Sequence, residues 1–213
     1  MPHYNILIGV DQSYYNNWGI NLLKSINYYN PWLSLHCHIV NPRDVRELSF
    51  VDYTYENISF KNEDSKIGYL QAVRFLAVAD KFTKDDFVIT LDTDSICTRA
   101  FTEDDFSVLF EHTTVLRHPK SPRWLACLVS FNDSNFRHEY AEELRSIPIE
   151  KWKFGRDQKV LDNLDKKYQY RTLDRKWMSI GKNKNDSVFL TLKGEQKETE
   201  KYLTGYKKLI IDW

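Results

Sequence analysis

Short apolar runs separated by helically spaced segments dominate the first half of the chain. Ile6-Leu7-Ile8-Gly9-Val10 is such a run and ends in Asp11-Gln12-Ser13, after which apolar residues recur at helical spacing from Trp18 to Tyr28. A strand, a loop and a helix are predicted there. Leu35 to Val40 predicts a second strand, closed by Asn41-Pro42, and the weaker segment Tyr55 to Phe60 a third. Lys66 to Phe82 reads as a long helix. Between Ile67 and Ala79 its clearly polar side chains, Tyr69 apart, are Gln71 and Arg74, which are three apart and share a face. An arginine on an otherwise apolar helix needs a partner.

Phe87-Val88-Ile89-Thr90-Leu91 is short and rich in branched and aromatic residues, which predicts a strand covered on both faces of a parallel sheet. Strands follow near Thr113 to Leu116 and at Leu125 to Phe131, and a helix runs from about Asn135 to Leu144. Phe154-Gly155-Arg156-Asp157-Gln158 opens a further helix through Leu164. Ser187 to Leu192 is a late strand ending in Lys193-Gly194, Lys182 to Asp186 a surface loop, and Glu195 to Tyr206 a charged helical tail. Strands alternating with helices imply an α/β fold with a Rossmann-like, mixed but mostly parallel sheet flanked by helices. Without an internal repeat, low-complexity tract or linker, residues 1–213 are expected to form a single domain.

The chemistry is concentrated after Leu91. Asp92-Thr93-Asp94-Ser95 stands where strands of a parallel sheet end and where such sheets bind ligands. Asp92 and Asp94 are two apart, so in extended backbone both carboxylates leave on one side and can share a hard divalent ion that also grips phosphate. Two ionised carboxylates side by side repel unless something positive joins them. On this reading neutralising either acid leaves stability unchanged or raises it. The plainer reading of the same tetrapeptide is a turn, since Asp and Ser are favoured there. His36 and His38 share a strand face and read as a packed, ordinarily hydrogen-bonded pair rather than as metal ligands.

Composition narrows the partners. Thirty basic and thirty acidic residues leave no net charge, which removes any global argument for nucleic acid or an anionic membrane. Cys37, Cys97 and Cys127 are odd in number and lack a C-x-x-C pairing, so a disulfide framework is not expected and a reducing compartment fits. No apolar stretch approaches the ~20 residues that span a bilayer, and Met1-Pro2-His3-Tyr4-Asn5 has no signal-peptide character, so a cytoplasmic protein is expected. Aromatic residues reach 15%, and although sugar sites use aromatic platforms, any one ring is better read as core or half-buried surface.

In their order along the chain these landmarks resemble the GT-A glycosyltransferases, most closely the retaining branch typified by glycogenin and bacterial lipooligosaccharide galactosyltransferases. Ile6 to Asp11 looks like the family's N-terminal strand ending in an Asp that meets uracil, with Tyr14 as a stacking partner. Arg74-Phe75-Leu76, then Asp85 through Asp94, is similar to the family's Arg-bearing helix leading to the strand and D-x-D motif, which includes Thr93. Asp157-Gln158 looks like the D-Q pair beside the anomeric carbon, followed by Leu161 and Asn163. Thr191, Gly194 and Lys197 match the H-x-x-G-x-x-K motif, in which His binds metal and Lys meets the diphosphate.

The resemblance implies a metal-dependent glycosyltransferase that moves a hexose from a UDP-sugar to a carbohydrate or other hydroxyl acceptor with retention. Mn2+ or Mg2+ would be held by Asp92 and Asp94, and Arg74 would orient an acid of the motif or meet the nucleotide sugar. Were transfer inverting instead, Asp133 or Asp157 would be the candidate base. Two departures stand out: Thr191 replaces the metal-binding His, and Leu125 and Cys127 occupy the family's N-x-G. Three alternatives compete: a nucleotidyltransferase of related fold, which lacks its Gly-rich loop after Val10; an idle nucleotide-sugar-binding module; and, further behind, a haloacid-dehalogenase-like phosphatase.

Overall fold

The run expected at residues 6–10 forms the middle of β1 (His3–Asp11), close to the centre of a seven-stranded sheet. The computed structural model of the protein describes residues 3–118, 121–180 and 187–191. A short helix α1 (Gln12–Tyr14), a π-helical turn (Tyr15–Gly19) and α2 (Ile20–Tyr29) follow β1 without a break, so the helical segment starts earlier than its periodicity suggested. Next come β2 (Ser34–Val40), β3 (Val51–Glu56), α3 (Glu63–Lys81) and β4 (Asp86–Leu91). Beyond them lie β5 (Ser95–Cys97), α4 (Glu103–Ser107), β6 (Thr114–Arg117), β7 (Trp124–Phe131), α5 (Ser134–Arg145) and α6 (Arg156–Tyr168). The short strands β8 (Arg171–Thr172), β9 (Met178–Ile180) and β10 (Phe189–Thr191) complete the described chain.

The sheet order is β3-β2-β1-β4-β7-β6-β8. β3, β2, β1 and β4 are parallel, and β7 joins β4 and β6 antiparallel, which is the mixed, mostly parallel sheet expected. After β1 the chain builds outward through β2 and β3 and then returns to place β4 on the other side of β1. The order therefore reverses between β1 and β4, and their carboxyl ends border the crevice where open α/β sheets bind ligands.

Both faces of the central strands are covered, which explains their unbroken apolar runs. Ile6, Ile8 and Val10 of β1 and Ile89 and Leu91 of β4 pack with Leu22, Leu23 and Ile26 of α2. Leu7 and Val88, pointing the other way, join Val73, Val78, Phe136, Tyr140 and Leu161 of α3, α5 and α6.

Three expectations are corrected. The third strand is Val51–Glu56 rather than 55–60, because the parallel register with β2 pairs Leu35 with Val51 and Val40 with Glu56. Ile58 and Phe60 are apolar for another reason, since they pack from a loop against the α3 side of the core. A second, three-stranded sheet of order β5-β10-β9 was not foreseen beyond its late strand. Finally, Asp92 and Asp94 are not in extended backbone: the Ser95 amide donates to the Asp92 carbonyl at 3.1 Å, closing a turn between β4 and β5. The loop at 182–186 and the tail at 195–206 lie outside the described residues.

Candidate active site

The acid turn is fixed from behind by β7, whose Cys127 carbonyl accepts from the Asp92 amide at 2.9 Å. In front of it stands Arg74. Nη2 of this side chain lies 2.8 Å from Oδ1 of Asp92, 3.6 Å from Oδ2 of Asp157, and 2.9 Å from the Ala126 carbonyl to which it donates. Arg74 is 5% exposed and Asp157 3%. Burial alone would weaken the guanidinium's hold on its proton, but the charges of Asp92 and Asp157 outweigh it and raise the pKa further. The arginine that needed a partner has two, and the acid pair that needed a positive charge receives one from the protein itself.

A glycine makes this approach possible. A Cβ at Gly9 of β1 would meet the Arg74 backbone nitrogen at 2.7 Å and its Cα at 2.9 Å, so α3 packs on β1 at the very residue that carries the guanidinium. Gln71, on the same face of α3, accepts from the Gly155 amide at 2.9 Å. Gly155 has φ of 78°, a left-handed conformation that glycine adopts at low cost, and it starts α6. Asp157 sits in the first turn of that helix, where its Oδ1 accepts from the Gln158 amide at 2.8 Å. Its backbone carbonyl accepts from the Tyr140 hydroxyl at 2.6 Å. Asp157 is therefore both a helix-start residue and a partner of Arg74, and Gln158 is half-buried beside it.

Asp94 is held by other partners. Its Oδ2 accepts from the Tyr14 hydroxyl at 3.0 Å and its Oδ1 from the Thr191 hydroxyl at 3.2 Å. Thr191 is fully buried on β10, opposite Ser95 of β5, so the expected neighbour of the acid motif does lie beside Asp94. Thr93 is buried with its methyl group toward Gly19 of the π-helical turn, where a Cβ would meet it at 3.3 Å. Asp11 caps α1 by accepting from the Tyr14 amide at 2.8 Å. It also lines a cleft of about 460 Å³ together with Asn16, Asn41, Arg43 and Lys66 at the carboxyl edge of β1 and β2.

The turn thus gathers Arg74, Asp92, Asp94, Asp157, Tyr14 and Thr191, with Asp11 along the same edge. Gly194 and Lys197 lie outside the described residues. Asp133 caps α5 through the Asn135 amide, at the end of β7 that pairs with the start of β4, which separates it from this edge. His36 and His38 are held as an ordinary pair, His36 against Asn5 at 3.0 Å and His38 against Thr54 at 2.8 Å. Leu125 and Cys127 are buried in β7, which reaches the site through backbone carbonyls instead. Gly9, Ala126 and Tyr140 had no signal in the sequence, since each acts through a contact distant along the chain; Gln71 was marked by its spacing from Arg74.

Among the described residues no group of three or more His, Cys, Asp and Glu side chains converges as a metal site. The donors at the turn are two carboxylates and a threonine hydroxyl, all oxygen. They fit a hard divalent ion whose shell is completed by water and phosphate, and they do not form a closed protein cage. No described helix is long and apolar enough to cross a membrane.

No family model matches the chain, and no curated protein matches it in sequence. Solved structures do match. The apo form of the glycosyltransferase GlyE of Streptococcus pneumoniae TIGR4 is similar at a TM-score of 0.65 and 15% identity, covering 100% of this chain and 63% of that one. The chain thus spans less than two thirds of the length of GlyE. An active-site mutant of LgtC is similar at a TM-score of 0.68 and 11% identity, covering 98% of this chain and 95% of that one. The galactosyltransferase LgtC in complex with donor and acceptor sugar analogues gives 0.64 and 12%, over 97% and 94%. The fold is accordingly GT-A-like, the architecture of these glycosyltransferases.

Proposed function

We propose that the chain is a glycosyltransferase that moves a hexose from a UDP-sugar to a carbohydrate or other hydroxyl acceptor, with retention and with the help of Mn2+ or Mg2+. The observation that carries this reading is the bridge from Asp92 through Arg74 to Asp157, which joins the acid turn to the start of α6 at the reversal of the sheet order. Two motifs 65 positions apart in sequence meet at one guanidinium, at the edge where this architecture takes ligands. The LgtC complex with donor and acceptor sugar analogues supports the substrate class.

Asp92 and Asp94 would hold the divalent ion, which when bound would supply positive charge to the diphosphate leaving group. Arg74 orients Asp92, and Tyr14 and Thr191 orient Asp94. Asp157 and Gln158 flank the anomeric carbon, and the cleft lined by Asp11 takes the nucleoside. Lys197 and Gly194 serve the diphosphate. Thr191 in place of an imidazole favours a second reading, a nucleotide-sugar-binding module without turnover, which would bind UDP-sugar and release nothing.

The test is calorimetry of UDP with and without Mn2+ on the wild type, Asp92→Asn and Asp94→Asn. Loss of the metal-dependent part of UDP affinity in both variants is expected. Unchanged affinity in either would remove that acid from the metal.

A further inference from the structure

The hairpin between β6 and β7 carries charge of one sign. From His112 to Asn132 the sequence has Arg117, Lys120 and Arg123 and not one acid, in a chain whose thirty acidic and thirty basic residues balance. The His118 amide donates to the Arg123 carbonyl at 2.9 Å, so both arginines leave the base of one closed turn. Lys120 lies outside the described residues. A solvated surface loop is the plain reading of such a run. The setting of Arg117 goes beyond it in two ways.

Arg117 is held in place. It stands opposite Trp124 in the register of β6 and β7, and its guanidinium carbon lies 5.5 Å from the centre of the indole ring. The indole is itself fixed: it is buried against Tyr170 with ring centres 5.4 Å apart, and the Trp124 amide donates to Oδ1 of Asp162 at 3.3 Å. A guanidinium packed on an aromatic ring keeps its N–H edge for a partner in its own plane. Among the described residues neither Arg117 nor Arg123 forms an ion pair or a side-chain hydrogen bond, and both are exposed.

Its position is also informative. Trp124 and Ala126 share the side of β7 that packs with α3 and α6, and the Ala126 carbonyl, about 7 Å along the strand from Trp124, is the one that Arg74 holds. Asp162, which takes the Trp124 amide, follows Gln158 by one turn of α6, about 6 Å. Arg117 therefore stands at the outer edge of the crevice beside the start of α6, whereas a diphosphate would sit at the acid turn. The anion that these arginines await is then a different one.

We infer that Arg117 and Arg123 form a subsite for an oxyanion on the acceptor, a phosphate or carboxylate carried by an acceptor sugar, which Arg117 holds through two parallel N–H···O bonds. The inference names the acceptor class within the glycosyl-transfer reading and rests on that reading for the word acceptor.

Protein with isotope-labelled arginine, in the presence of UDP and Mg2+, is titrated with glucose 6-phosphate, glucuronate, glucose and inorganic phosphate while the Nε–Hε signals are followed by NMR. Saturable shifts of the Arg117 and Arg123 signals by at least one charged sugar are expected, at least tenfold tighter than by glucose or inorganic phosphate, and the two charged sugars tell phosphate from carboxylate. Arg117→Gln combined with Arg123→Gln should erase that preference while changing UDP affinity, read by calorimetry, less than twofold. Absence of saturable binding, equal affinity for charged and neutral sugars, or shifts confined to other arginines would overturn the inference. Inorganic phosphate binding as tightly as the better charged sugar would mean an adventitious ion only and would overturn it as well, and an equal loss of UDP affinity in the double variant would assign both arginines to the donor. Binding is read here without turnover, so a chain that shows the charged-sugar preference but releases UDP from no donor would lose the transferase reading, and one that releases UDP without the preference would lose the subsite. The wild-type shifts decide the matter even if the variant does not fold.

Discussion

Nη2 of Arg74 lies 2.8 Å from Oδ1 of Asp92, and this contact ties α3 to the acid turn. The sequence alone suggested that neutralising either acid of the turn would leave stability unchanged or raise it. The ion pair reverses that for one of them. Asp92→Asn should cost about 1–3 kcal/mol by weakening a largely buried charge pair, whereas Asp94→Asn keeps an oxygen for one of the Tyr14 and Thr191 hydroxyls, turns its NH2 to the other, which can accept, and should cost less, at about 0–1 kcal/mol. Arg74→Met should be the worst of the three, at about 3–5 kcal/mol, because it leaves Asp157 buried without its cation. Urea unfolding of the three variants checks the order; equal stabilities would show that the bridge does not form.

Gly9 gives a steric test of the same bridge. Gly9→Ala pushes a methyl group into the Arg74 backbone, so α3 must shift away from β1 at a cost of about 1–3 kcal/mol, and metal-dependent UDP affinity should fall with it. Gly155→Ala is the control: no atom lies within 4 Å of its Cβ, so its cost is the ~1–2 kcal/mol of a left-handed backbone without a clash. Equal affinity for UDP in Gly9→Ala and wild type would separate the close approach of α3 from function.

Thr191 predicts the metal preference. A neutral hydroxyl is a poor metal ligand beside imidazole, so the ion should bind weakly without nucleotide and discriminate little between Mn2+ and Mg2+. Thr191→His, placed beside Asp94, should tighten Mn2+ more than Mg2+. Calorimetric titration of both ions, with and without UDP, reads the difference; no gain for Mn2+ would remove position 191 from the metal.

His36 sets an acid limit on stability. Burial first, and then the charge of Lys81, lower its pKa to about 4 against the pull of Asp52 and Asp86. Above about pH 6.5 the folded and unfolded chains both carry it neutral. As pH falls from there to about 4 the unfolded chain takes up a proton that the folded one refuses, so stability drops through that window and levels off below it. His36→Gln, which can still donate to Asn5, should remove roughly 2 kcal/mol of this loss between pH 7 and pH 4.5. An identical pH profile in the variant would show that the imidazole titrates normally.

The central strands were legible because β1, β4 and β7 are buried on both faces and their apolar runs are unbroken. β3 was misplaced since its pattern is that of an edge strand, with Val51 buried, Asp52 exposed and Tyr55 half out, while the more apolar Ile58 and Phe60 lie in a loop. The strands β5, β8 and β9 have two or three residues each, too few for a period to show. In the site, Arg74 was marked by being charged on an apolar helix, and the acids by their place after β4. The turn at Asp92 was written in its Asp and Ser residues, but the pull of a shared ion favoured extended backbone. That Gly9 admits Arg74, or that Tyr140 holds the start of α6, depends on contacts across the chain that no local pattern carries.

Nucleotide release from a panel of UDP-hexoses, with Mn2+ or Mg2+ and with simple sugars as acceptors, tests glycosyl transfer most directly. The account predicts metal-dependent release of UDP from at least one donor by the wild type, abolished in Asp92→Asn and Asp94→Asn. Thermal stabilisation by a UDP-sugar without any release would make the chain a binding module. Neither stabilisation nor release with any donor and ion would contradict the account outright.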